Sequence, residues 1–328
     1  MIKSNQTVVR WSLSCGLLYG AFFTCNSAWA YTPITACGQN LSVPGEYVLQ
    51  KNLVCPDTGS DVNGIVVSAS NVKVHMAGRS LSAAICDLSR NVSGIYIKGG
   101  LTGVTVDGGK ITGFNDGVVL SSSNSRVFGM TIKRACAFGI VGQGENNTID
   151  SNQVSESGDG VALVPAYHTV VTGNTLTGNI RAGVAISDFA DSNLIEKNVL
   201  SRNGTAGEGY GVAVINGHGN TIRRNAINDN DFGVRIGSAV YRDGTIGLPN
   251  IITGNTINSN DKGGIWLEAV YGAPSQVKSN IVFGGVKPAT DMQDDRVGCG
   301  GNVWQYNDFV TDQVAGVGDG GPTTGCIR

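Results

Sequence analysis

Charge is scarce in this chain, and what there is does not cluster. Asp, Glu, Lys and Arg make up only 15% of 328 residues, with 23 basic against 25 acidic. A nucleic-acid partner is not expected, because phosphate neutralisation takes clustered Lys and Arg. Proline is sparse at 8 residues while glycine is abundant at 48. That composition suits turn-rich β architecture better than a helical bundle. No two cysteines have the C-x-x-C spacing of a zinc or redox site.

Long apolar runs are also missing. The longest candidate, Trp11 to Thr24, falls short of the roughly 20 residues that span a bilayer. It follows a basic segment with Lys3 and Arg10 and precedes Ala28-Trp29-Ala30, a small-x-small cleavage signature. Residues 1–30 therefore read as a signal peptide, with the mature chain starting at Tyr31, secreted or periplasmic and without a transmembrane segment. A lipoprotein signal at Cys25 is the alternative, with Thr24 an unusual neighbour for that processing. The mature chain keeps 21 basic and 25 acidic residues, a net charge of about −4.

Six cysteines remain after that cleavage: Cys37, Cys55, Cys86, Cys136, Cys299 and Cys326. An even number in an exported chain implies disulfides, and six allow 15 connectivities. Proximity in the chain favours Cys37–Cys55 and Cys299–Cys326, which leaves Cys86–Cys136.

From about Gly108 the sequence repeats. Short β-like runs end in Asn152, Asn174, Asn198, Asn225, Asn255 and Asn280, at gaps of 22, 24, 27, 30 and 25. A glycine opens an alternating run in each period, as in Gly160-Val161-Ala162-Leu163, Gly183-Val184-Ala185-Ile186 and Gly233-Val234-Arg235-Ile236. Period-2 alternation inside a 20-to-30-residue repeat predicts an all-β, right-handed, single-stranded parallel β-helix of about eight coils. Equivalent residues should stack about 4.8 Å apart. The six asparagines should then form a side-chain ladder at a corner where Asn or Gly tolerates left-handed backbone. The expected organisation is a signal at 1–30, an N-terminal cap at 31–60, coils at 61–285 and a C-terminal cap at 286–328, both caps stapled by disulfides to shield the open ends.

The Asn-x-Ile-x-x-Asn and Gly-Ile-x-Leu rhythm resembles the parallel β-helix repeat family over roughly residues 61–285. That family includes pectin-active and alginate-active enzymes. The resemblance implies architecture and leaves activity open, because the same coil hosts hydrolases, lyases, epimerases, tailspikes and adhesins.

Catalytic strings are incomplete. Gly158-Asp159-Gly160 is similar to the polygalacturonase-like hydrolases but has Gly160 where they place the second Asp of an acid–base pair. Ala182 stands where their Gly-His-Gly histidine belongs, and Gly217-His218-Gly219 falls in a turn. The Asp-Pro-His of alginate epimerases is absent. Arg235, His218 and Tyr241 could serve a uronate lyase or epimerase, a chemistry in which Ca²⁺ could take part; no other cofactor and no metal ligand set is assigned. Asp116, Asp159 and Asp231 read as turn residues that bond backbone N–H groups. His75 reads as an outward packing residue, and His168 replaces a turn Asn.

One outward file stands out. It runs Val119, Val141, Ala162, Ala185, Ala213 and then Arg235 and Trp266, with Glu268 two residues on. The longest connections cluster at the same end, where they could wall a groove. A Trp beside Arg, Glu and Tyr makes a sugar platform, since the indole packs on pyranose C–H groups while polar groups bind hydroxyls or uronates. The candidate substrate-binding residues are Arg235, Trp266, Glu268, Tyr241, Asp188 and His218, with a polysaccharide, acidic chains included, as partner. The competing readings are a uronate-polysaccharide lyase or epimerase and a non-catalytic structural or adhesive scaffold.

Overall fold

The computed structural model describes residues 31–57, 62–84, 87–205, 207–237, 241, 244–268, 272–284, 290–314 and 326–327. They form a right-handed parallel β-helix with three sheets running along its length. In one coil the chain passes through sheet B (Ala182–Ile186), sheet A (Leu194–Glu196) and sheet C (Val199–Ser201). Every strand pairs in parallel with its counterparts one coil away, as in Val161↔Val184↔Val212.

The ladder is longer than the eight coils that the Asn repeat suggests: sheets A and B have twelve strands each and sheet C ten. The earlier coils lack the mark because apolar residues hold their corners, as Met130 and Ala135 do in one coil and Phe114 in the coil before it. The segment 31–57 contributes Thr32–Ile34, Gln39–Leu41, Gly45–Leu49 and Leu53–Val54 to the three sheets. Near the other end, Thr290–Asp294, Val303–Gln305 and Asp312–Val314 do the same.

Inward residues fill a narrow core in layers: Val184, Ile186, Ile195 and Leu200 in one coil, Val212, Val214, Ile222 and Ile227 in the next, all at most 1% exposed. Repeating aliphatic contacts along the axis is what lets a solenoid bury its interior with few aromatics.

Three asparagine ladders, not one, run through the corners. Nδ2 of Asn152 donates to Oδ1 of Asn174, and the relay continues through Asn198, Asn225, Asn255 and Asn280 to Asn307, each step 2.9–3.1 Å. A second relay joins Asn179, Asn203, Asn230 and Asn260. In a third, Asn193 Nδ2 donates to Asn220 Oδ1 and the Asn220 backbone N–H donates to Asn250 Oδ1. These side chains are buried except that of Asn307, which is half-buried, and each satisfies a main-chain donor or carbonyl that would otherwise be unpaired.

At each corner of the first relay the left-handed residue precedes the Asn. Ser151, Gly173, Lys197, Arg224, Gly254 and Ser279 have φ between 54° and 64°. The reversal happens on the solvent side, which leaves the Asn free to turn its amide inward.

Disulfides join Cys37 to Cys55 and Cys299 to Cys326, with Cα separations of 5.6 and 6.1 Å. Cys136 is also disulfide-bonded; Cys86, its expected partner, lies outside the described residues.

Candidate functional site

The glycine that opens each sheet-B strand is required by close approach. A Cβ on Gly160, Gly183, Gly211 or Gly233 would lie 2.4–2.8 Å from the carbonyl oxygen of the matching glycine in the next coil. This bend turns the residue before the glycine outward. Sheet B therefore presents two files: Asp116, Phe138, Asp159, Ala182, Tyr210 and Phe232 in one, and Val119, Val141, Ala162, Ala185, Ala213, Arg235 and Trp266 in the other.

The files converge on an aromatic and charged strip. The rings of Tyr210 and Phe232 stack at 5.6 Å, and Phe232 meets Trp266 at 5.3 Å. The Arg235 guanidinium lies between Tyr210 and Trp266, 5.2 and 5.3 Å from their ring centres. It donates from Nε to Glu268 Oε1 (2.7 Å) and from Nη1 to the Tyr210 hydroxyl (2.9 Å). Burial disfavours its charge, yet Tyr210 and Glu268 outweigh that and its pKa is raised. Trp266 Nε1 donates to Asp295 Oδ2 at 2.8 Å, and Gln293 holds the other oxygen of that carboxylate at 2.7 Å.

Two further pairs flank the strip. Arg181 bonds Asp159 at 2.7 Å and lies over Phe138. Lys262 bonds Asp231 at 3.3 Å and approaches Phe232. In both, the cation is the outer partner: side-chain exposure is 54% for Arg181 against 7% for Asp159, and 42% for Lys262 against 17% for Asp231. The acids also anchor backbone, since Asp159 accepts from the Ala182 N–H and Asp231 from the Gly209 N–H. Burial raises the Asp159 pKa despite Arg181. Asp116, two coils from Asp159 in the same file, is pushed up to about 6 by burial, against a hydrogen bond from the Phe138 N–H.

The structure brings together Arg235, Trp266 and Glu268 and places Tyr241 and His218 elsewhere. The Tyr241 hydroxyl bonds Asp191, and the His218 ring lies against Tyr241 (4.4 Å) and Phe189 (6.3 Å). His218 is 1% exposed, with Nδ1 3.5 Å from Asp191 Oδ1. Its ring is packed inside a loop junction and presents no face to a ligand. Asp188 is an exposed turn residue with φ 52°. Of the loops expected to wall the groove, residues 206, 238–240, 242–243 and 269–271 lie outside the described residues.

Sequence reasoning missed Tyr210, Phe232, Arg181, Lys262 and Asp295. The signal for the first two was available: each stands immediately before a strand-opening glycine, a position taken for turn rather than strand.

Fold and strip together define a parallel β-helix with an aromatic, cation-bearing outer face. The chain belongs to the family described as periplasmic copper-binding protein (NosD), whose model matches residues 57–304. Solved structures share the fold. A point mutant of the periplasmic alginate epimerase AlgG is 14% identical over 81% of this chain and 74% of its own, with a TM-score of 0.52. The A-module of the Azotobacter vinelandii mannuronan C-5 epimerase AlgE6 is 16% identical over 88% and 90%, TM-score 0.52. An alginate lyase from Paenibacillus sp. str. FPU-7 is 14% identical over 79% and 100%, TM-score 0.52. No curated protein matches the chain in sequence.

The family's description names copper, and the described side chains do not make a place for it. Copper favours thiolate, thioether and imidazole donors. The described cysteines are in disulfides, and Met76, Met130 and Met292 are core residues. Among the described residues no three His, Cys, Asp or Glu side chains converge on one point as a metal site.

Proposed function

We propose that the protein is exported, is cleaved after Ala30, and binds an acidic polysaccharide along the outer strip of sheet B. The single observation that carries the binding reading is the Tyr210–Phe232–Trp266 array with Arg235 wedged into it. Phe232 and Trp266, part-exposed in consecutive coils beside the buried Tyr210, offer apolar surface to neighbouring pyranose units. Arg181 and Lys262, each more exposed than its acid, put positive charge beside that track, where a uronate carboxylate would meet it. Family membership and the disulfides support the periplasm as the compartment. Structural neighbours that act on alginate support an acidic glycan as the ligand class.

Binding is favoured over lyase or epimerase chemistry because the imidazole proposed as a base, His218, is buried. The test is a titration of mature protein with alginate, polygalacturonate and a neutral glucan, with and without Ca²⁺, followed by absorbance near 235 nm. Trp266→Ala is expected to weaken acidic-glycan binding by about 1–3 kcal/mol. Arg181→Ala and Lys262→Ala should lower affinity for acidic chains selectively, and added salt should shrink that preference. No binding to any acidic glycan would favour the scaffold reading, while a rising 235 nm signal would replace binding by lyase chemistry.

A further inference from the structure

The outer face of sheet B carries one device twice. Arg181 and Lys262 each stand one residue ahead of the register position shared by Ala182, Tyr210, Phe232 and Gly263, so they lie in one file, three coils apart. Both lean toward the N-terminal end, onto a carboxylate and a half-buried ring. Arg181 bonds Asp159 and lies 5.4 Å from the centre of the Phe138 ring. Lys262 bonds Asp231 and lies 5.9 Å from the centre of the Phe232 ring.

Neither acid uses up its cation. A guanidinium has five N–H groups. Arg181 directs Nε and Nη2 at Asp159, and the edge carrying Nη1 remains for a second carboxylate. An ammonium has three N–H groups, of which Lys262 directs two, at Asp231 and at the Gly207 carbonyl. Each pair therefore keeps a donor for a ligand carboxylate next to apolar ring surface for the sugar that bears it. Between the two pairs the floor is low: Ala162, Ala182, Ala185 and Ala213 end at Cβ, and Tyr210 is 8% exposed.

The spacing of the pairs restricts what can lie across them. The cationic groups sit level with Asp159 and Asp231, again three coils apart in sheet B, which is about 14 Å at the usual strand spacing. One sugar of an extended 1,4-linked chain advances by about one coil, so the two pairs meet sugars three places apart. On a ribbon that turns once in two sugars, carboxylates three places apart point to opposite sides. On a chain that turns once in three, they point to the same side.

We propose that Arg181 and Lys262 are a two-point contact that selects 1,4-linked hexuronans with three sugars per turn and at least four sugars in length. The first carboxylate sits on Arg181 and the fourth on Lys262. The proposal rests on the sheet B strip as a polysaccharide site and adds which acidic chains that site takes.

The experiment is isothermal titration of the mature protein, at low salt in Ca²⁺-free sodium buffer, with oligogalacturonates of two to six sugars and with oligoguluronates of the same lengths. Galacturonate chains form a three-sugar turn, and guluronate chains a two-sugar ribbon. Dimers and trimers of galacturonate are expected to bind weakly at either pair, up to two per protein. The tetramer should bind one per protein and at least about tenfold more tightly than the trimer, because its second contact is intramolecular. Oligoguluronates should show no such step. Arg181→Gln and Lys262→Gln should each abolish the step while leaving dimer affinity within about twofold, since the other pair remains. Arg223→Gln, which removes a similar ion pair with Glu196 on sheet A, should match the native protein. Thermal unfolding checks that each variant folds, and the step in the native protein is read without any variant. Affinity that rises evenly with length, or an equal step with oligoguluronates, overturns the two-point contact and leaves the strip as a glycan site. Absence of binding by every uronan overturns both.

Discussion

At the scale of single residues, the molecule separates carboxylates that serve the fold from those that serve the surface by what they bond. Asp159 and Asp231 each hold a cation outward and a backbone N–H inward. Asp116 has the second kind of bond without the first, and its Oδ1 is buried and unpartnered. Its pKa, pushed up to about 6 by burial, lies above the unfolded value. The native state therefore holds the Asp116 proton to higher pH than the unfolded chain does. The stability this gives is present below about pH 4 and is lost as pH rises through about 6. Asp116→Asn removes that loss. Its stability relative to native should rise by up to about 3 kcal/mol between pH 4 and pH 7 in denaturant titrations, and a pH-independent difference would refute the assignment. That these aspartates bond backbone N–H groups was legible in the sequence, but Asp116 and Asp159 open strands rather than turns, and the N–H groups belong to neighbouring coils. Which of them gains a cation was not legible, because Arg181 and Lys262 come from other coils whose lengths decide the register.

At the scale of the strand and its corner, two devices recur, and they differ in how openly the sequence displays them. The glycine before each sheet-B strand is visible as a repeat, but its reason is a contact with the next coil. Gly183→Ala would set a Cβ 2.8 Å from the Gly211 carbonyl oxygen and 3.0 Å from Leu200. It should cost about 1–3 kcal/mol, whereas Gly99→Ala, with its nearest atom at 3.7 Å, should change the melting point little. Comparable losses at both sites would mean that backbone entropy, not contact, sets the preference. The asparagine at the sheet A–sheet C corner was legible because it recurs. The neighbouring relays through Asn179 and Asn193 were equally present, five residues to either side, but Ser157, Thr169 and Ser275 interrupt them and blur the repeat. Asn198→Ala, which strands the Asn174 N–H and the Val171 carbonyl, should cost about 1–3 kcal/mol in chemical unfolding.

For the molecule as a whole, stability is a sum over coil-to-coil interfaces, and the ends are its weak points. Each described disulfide closes a short stretch at one end, with separations of 18 and 27 residues. Loop-closure entropy assigns about 3 kcal/mol to a bridge of that span. Reduction should therefore loosen the ends first: hydrogen exchange should speed up in Tyr31–Leu49 and Val303–Val314 while Val171–Ile257 stays protected. Uniform loss of protection would show instead that the solenoid unfolds as one unit.

The three asparagine relays have one more consequence. From Asn193 to Asn203, Asn220 to Asn230 and Asn250 to Asn260 the count is always ten residues, while the return from the third corner to the next first corner varies from 12 to 20. In these asparagine-marked coils the back of the molecule is thus a spine of fixed gauge, and their variation in length is discharged on the side that carries Tyr210, Phe232, Arg235 and Trp266. Insertions, deletions and substitutions there leave the spine untouched. Descendants of such a chain can exchange one ligand for another without having to reinvent the fold, which is how an architecture this uniform can carry surfaces with so little in common.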